Sequence, residues 1–190
     1  MDKEDDSPSN PSDLADQPAA GEDACPVREI TLAQEIIDNL PYAVMVLLGS
    51  AILLIGLGAW RWAAGGAYFA YGLVGMLWII VFLCPHCQFF DTRLCPCGYG
   101  RIAAKLRSRQ DGDRFAEKFR RHIPVIVPLW LIPPAAGVIV LVRQFSAAVL
   151  VLVVAFAINS FLILPLVSRK YGCARCPQKE SCPWMGRGAR

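Results

Sequence analysis

Charge is missing from four long stretches of this chain. Residues 41–60, 62–83, 123–142 and 144–168 contain no Asp, Glu, Lys, Arg or His. Ion and proton carriers place such groups at membrane depth, so their absence argues against a pump. Histidine is scarce throughout, with only His86 and His122 in the chain. No His pair is available inside the apolar stretches, which argues against b-type haem ligation across a bundle. Ser, His and Asp are too sparse to suggest a hydrolytic triad. A cleavable signal peptide is not expected either: the first 40 residues are polar and acidic, so the first apolar stretch lies too deep to be an h-region.

What fills those stretches is hydrophobic surface. The chain has 190 residues, 55% of them hydrophobic, and a mean hydropathy of +0.40. A helix needs about 20 apolar residues to cross roughly 30 Å of hydrocarbon. All four stretches qualify, and helix is the spanning form that satisfies its own backbone. Arg61 parts the first two and Arg143 the last two, so both connections are tight. The expected fold is an all-α integral membrane protein of four transmembrane helices in two hairpins. Ala64-Gly65-Gly66 suits the first reversal. Trp60-Arg61-Trp62 suits an interfacial anchor.

Charge is segregated around this frame. Of 19 Lys and Arg, 17 fall on the side shared by the N-terminus, the 84–122 loop and the C-terminus. By the positive-inside rule that side is cytoplasmic, which places the chain in an inner membrane with both termini inside. Residues 1–40 hold 11 acidic and 2 basic residues, whereas the 84–122 loop and the 169–190 tail each carry +5. The expected organisation is a disordered acidic arm (1–24), an interfacial amphipathic segment (25–40), a hairpin (41–83), a Cys-rich basic loop (84–122), a second hairpin (123–168) and a Cys-rich tail (169–190). In segment 25–40, Leu32, Ile36, Ile37 and Leu40 form the apolar face.

Seven of the eight cysteines follow apolar stretches on that one side. A cytoplasmic location keeps thiols reduced, so clustered cysteines there point to metal or redox chemistry rather than to a disulfide framework. The first cluster reads Cys84-Pro85-His86-Cys87, then Cys95-Pro96-Cys97-Gly98. Each pair can chelate from a tight turn, and Gly98 is free to take a positive φ. Four thiolates within 14 residues can form a tetrahedral site, and the spacing resembles a zinc-ribbon knuckle pair. The second cluster, Cys173, Cys176 and Cys182, lacks a fourth ligand. Cys25 is the first choice for it, with His122 and His86 as alternatives. Zinc and an Fe–S cluster are the two expected cofactors, the latter because Cys-Pro recurs at Cys84, Cys95, Cys176 and Cys182.

Cys84-Pro85-His86-Cys87 also equals the active-site run of thioredoxin-fold oxidants. Here it follows the C-terminal end of a span, where the helix dipole opposes a thiolate. The two halves resemble each other: each gives a span pair with one Arg at its tip, then Cys-x2-Cys, then Cys-Pro. That pattern suggests a parallel repeat about the membrane normal.

In the 98–122 connection, short helices are expected, with Phe115 and Phe119 on one face. Arg107, Arg114, Lys118 and Arg121 face anionic lipid there. Nucleic acid is not an expected partner, because basic density and a known module are both lacking. Pro124, Pro128, Pro133 and Pro134 in the third stretch, with Asn159 and Pro165 in the fourth, foresee kinks and an opening for a lipid or quinone.

The function these features imply is an accessory or anchor subunit. Its cytoplasmic cysteine-metal sites, structural zinc or an Fe–S relay, would dock a partner protein. The alternatives are a membrane thiol-disulfide oxidoreductase using Cys84 and Cys87, and a soft-metal handling protein. No catalytic residue is assigned.

Overall fold

The computed structural model describes residues 30–172. Within them the backbone is predominantly helical, at 82%, and has no strand. The first helix, α1 (Leu32–Gly56), begins where the sequence offers a capping box. Thr31 Oγ1 accepts from the Gln34 N–H at 3.4 Å, and Gln34 Oε1 accepts from the Thr31 N–H at 3.1 Å. Two amide donors that the first turn would otherwise orphan are thereby satisfied. The helix then runs through Pro41 without a break. The expected interfacial segment and first span are therefore joined in one continuous helix from Leu32 onward. A proline inside an apolar helix is tolerated when neighbouring elements hold both sides of it.

The first reversal also differs from expectation. It falls at residues 57–60, where Gly58 takes φ +53°, a value L side chains rarely adopt. Ala64, Gly65 and Gly66 lie inside α2 (Arg61–Phe82) instead. A Cβ on Gly65 would stand 2.6 Å from Leu54 Cγ. Gly65 serves a close helix crossing, as small residues commonly do between apolar helices, whereas a Cβ on Gly66 would meet open space; neither makes a turn. Trp60 and Trp62 flank the reversal, 77% and 72% exposed, with the Arg61 guanidinium 5.7 Å from the Trp62 ring.

Two short helices, α3 (Tyr99–Leu106) and α4 (Phe115–His122), make up the connection. Phe115 and Phe119 do share a face, with ring centroids 5.9 Å apart. Next come α5 (Pro128–Arg143) and α6 (Ala147–Ile158). Pro128 sits at the start of α5, where its missing N–H costs nothing. Past α6 the coil widens to π geometry over Asn159–Ile163 and Ser168–Gly172, on either side of α7 (Leu164–Val167). Pro165 withholds the N–H that Phe161's carbonyl needs, and a π-bulge is one way a helix absorbs that loss.

Helix α1 packs against α2, α5 and α6. The core between them holds Met45, Ile52, Tyr68, Leu129 and Phe156. Three polar side chains at this core are bonded to backbone carbonyls, while the buried Ser160 Oγ has no hydrogen-bond partner. Tyr68 donates to the Leu129 carbonyl at 2.7 Å, Tyr42 to the Gly72 carbonyl at 2.7 Å, and Asn159 Nδ2 to the Pro41 carbonyl at 2.8 Å. Tyr68 reaches α5 by lying across Gly49, whose hypothetical Cβ would stand 2.4 Å from Tyr68 Cε1.

Four helical stretches are long and apolar enough to cross a membrane: Leu32–Gly56, Gly58–His86, Gly112–Arg143 and Ala147–Tyr171. Their outward faces expose Leu47, Ile55, Val74, Ile139, Val151 and Phe161, a surface suited to lipid rather than water. These features mark the chain as a membrane protein.

Two substitutions test the core. Asn159→Ala should lower stability by about 1 kcal/mol, the scale of an interhelical hydrogen bond in lipid. Gly49→Ala should displace Tyr68 and break its bond to α5, a larger loss. Thermal unfolding of the detergent-solubilised chain reads both, and unchanged midpoints would show that neither contact stabilises the bundle.

Candidate functional site

Beyond the end of α2, a small second core carries the cysteines. Ile80, Phe90 and Ala103 are buried together, and Met76, Cys84 and Tyr99 pack against them. Cys84, Pro85 and His86 form a single 3₁₀ turn, and the Cys87 N–H closes on the Cys84 carbonyl at 3.0 Å. In the second pair the Gly98 N–H donates to the Cys95 carbonyl at 3.1 Å, and the Gly100 N–H donates to Cys95 Sγ at 3.4 Å. Gly98 takes φ +72°, the left-handed value its position after the cysteine pair foretold. Both pairs therefore sit in tight turns.

All four thiols are half-buried, and no disulfide links them to one another. Cys84 lies within electrostatic reach of Cys87 and Cys95, and Cys97 within reach of Cys95 and Cys84. They are neighbours, but among the described residues no three His, Cys, Asp or Glu side chains form a group set to hold a metal ion. Metal binding requires the thiolate form, and thiolates repel one another until a cation offsets their charge. In chemical terms the donors suit zinc or an Fe–S cluster: soft sulfur in two chelating turns, with one amide N–H already directed at a sulfur.

The site has a partner that the sequence reading overlooked. Glu35, Asp38 and Asn39 share the face of α1 turned toward the loop. Glu35 forms an ion pair with Arg101, and Asn39 Nδ2 donates to the Cys97 carbonyl at 3.0 Å. The Ile30 N–H donates to the Arg93 carbonyl at 3.0 Å. Cys97 Sγ donates to Asp38 Oδ2 at 3.7 Å, while Asp38 Oδ1 is buried with no hydrogen-bond partner. Their i, i+3, i+4 spacing, opposite Leu32, Ile36, Ile37 and Leu40, was the available signal. Burial, first of all, pushes the Cys97 thiol well above its ordinary range; the Asp38 carboxylate, Cys95, the bond to Asp38 and Cys84 add to it. Tyr99 is raised as well, by burial first and then by Cys97.

Other foreseen residues are dispersed. His86 and His122 line one cleft, and His86 Nδ1 bonds the Asp111 carbonyl at 2.8 Å. Arg107 lies with its guanidinium 5.8 Å from the Phe82 ring centroid. Arg114 pairs with Glu117 at 3.3 Å, Lys118 is half-buried and Arg121 is exposed. Cys25, Cys173, Cys176 and Cys182 lie outside the described residues. No protein-family model, curated protein or solved structure matches the chain.

Because Asp38 raises the Cys97 pKa, Asp38→Asn should lower it and enlarge the thiolate fraction at any given pH. In chelator-treated protein, alkylation of Cys97, followed site by site by mass spectrometry, should quicken and its pH profile should move to lower pH. An unmoved profile would show that the carboxylate does not act on this thiol.

Proposed function

We propose that the protein is an integral membrane accessory or anchor subunit. Its helices, paired as two hairpins, present a cysteine-ligated metal site to a partner protein on the cytoplasmic face. The observation that carries this reading is the gathering of Cys84, Cys87, Cys95 and Cys97 into one half-buried loop fastened to the start of α1. Such fastening serves a docking platform, since a surface held by both a helix and a metal is pre-organised for its partner. Cys84, Cys87, Cys95 and Cys97 would hold the first metal, and Cys173, Cys176 and Cys182 with Cys25 the second. Zinc would brace the platform, and an Fe–S cluster would add one-electron transfer.

The 17 of 19 basic residues on the cysteine side support an orientation with both termini in the cytoplasm of an inner-membrane protein. Arg107, Arg114, Lys118 and Arg121 would lie against anionic headgroups there. A thiol oxidoreductase is the weaker reading. Cys84 follows the C-terminal end of α2, whereas an oxidising thiol is activated at a helix N-terminus.

Elemental analysis and a visible spectrum on anaerobically purified protein test the proposal. The expected result is zinc without visible absorption, or iron with acid-labile sulfide and a broad band at about 400 nm. Cys84→Ser and Cys97→Ser should each remove one equivalent of the bound metal. Protein without metal, or full metal in both variants, would sink the assignment.

A further inference from the structure

We propose that the cleft at the cysteine-loop end of α2 binds a phosphate-bearing anion, either the headgroup of an acidic phospholipid or soluble phosphate. The cleft gathers residues from separate parts of the chain: Val81 and Phe82 from α2, His86 from the turn that follows, Arg107 from the end of α3, and Lys118 and His122 from α4. Both histidines of the chain are present. Among the described residues no carboxylate lines this cleft. Of the acidic residues on the same connection, Asp111 Oδ1 accepts from the Asp113 N–H at 3.0 Å, and Glu117 pairs with Arg114. Among the described residues neither Arg107 nor Lys118 has an ion-pair partner.

The walls are pre-formed. The Gln110 N–H donates to the Pro85 carbonyl at 2.9 Å, and His86 Nδ1 bonds the Asp111 carbonyl at 2.8 Å. A carbonyl can only accept, so Nδ1 carries the hydrogen and the ring is held with Nε2 as its remaining polar atom. On the far wall His122 stacks on Phe82, centroids 5.2 Å apart and 17° from parallel, with Trp78 4.3 Å from Phe82. The Arg107 guanidinium and the Lys118 ammonium repel a metal cation and offer donors to several phosphate oxygens at once, and the His122 ring can add one N–H. The guanidinium fork in particular matches a phosphate. Val81 and Phe82 close the inner side with apolar surface, which accommodates the glycerol and first methylenes of a lipid.

The test uses the full chain in neutral detergent. Binding of phosphatidylglycerol, phosphatidylcholine and inorganic phosphate is followed by native mass spectrometry and by saturation of the thermal midpoint. The expected result is saturable binding of phosphatidylglycerol over phosphatidylcholine, weakened about tenfold or more in Arg107→Gln/Lys118→Gln, as loss of charged hydrogen bonds requires. His122→Gln, a milder change, should weaken it in the same direction at unchanged helicity. If inorganic phosphate binds as tightly and suffers the same loss, the site is assigned to a soluble phosphate. The equally basic pair Arg109→Gln/Arg120→Gln, whose side chains do not line the cleft, should bind like the unsubstituted chain. Equal loss in that pair, or undiminished binding in Arg107→Gln/Lys118→Gln, overturns the site.

Discussion

A backbone carbonyl freed inside hydrocarbon has no water to turn to, and this chain frees several by placing proline within its apolar helices. The helices answer that constraint locally. Pro128 is moved to a first turn, and Pro165 is flanked by π geometry. Three polar side chains are spent on carbonyls: Asn159 on Pro41, Tyr42 on Gly72 and Tyr68 on Leu129. These three bonds join different parts of the bundle at fixed points. Where greasy surfaces meet in a greasy solvent, packing alone gives little orientation, so a few directed bonds decide how the helices sit.

At the polar end, specificity comes from one face of α1. Glu35, Asp38 and Asn39 address Arg101, Cys97 Sγ and the Cys97 carbonyl respectively. The cysteine loop is therefore held by a charged pair, a neutral hydrogen bond and a thiol–carboxylate contact within two helical turns. A carboxylate beside a thiol stabilises the protonated sulfur and opposes the thiolate. It thus acts against metal capture at Cys97 while it anchors the loop. The loop is also a small fold of its own, with Phe90 and Ala103 buried over the end of α2.

Much of this was legible in the sequence. Run length and missing charge gave four membrane-crossing helices, because those properties act through the backbone's need for internal bonding, whatever the neighbours. The tight cysteine turns and the left-handed Gly98 were legible from spacing alone. Local chemistry misled at Gly65, where a glycine reads equally well as a reversal or as a close crossing; the partner helix decides, and it lies elsewhere in the chain. The face of α1 bearing Asp38 was written in the sequence, but its role depended on a loop nearly 60 residues away. The meeting of His86 with His122 was likewise a product of tertiary folding that no spacing rule could supply.

The unbroken course of α1 has a mechanical consequence. At 1.5 Å per residue its 25 residues form a rod of about 37 Å, clamped at one end by the cysteine loop and gripped along its length by α2, α5 and α6. A rod held in this way cannot bend at its hinge-like proline without breaking contacts on both sides. Any repositioning of the loop is therefore delivered to the bundle as a tilt of the whole helix, and a tilt imposed by the surrounding bilayer is delivered in turn to the sulfur atoms.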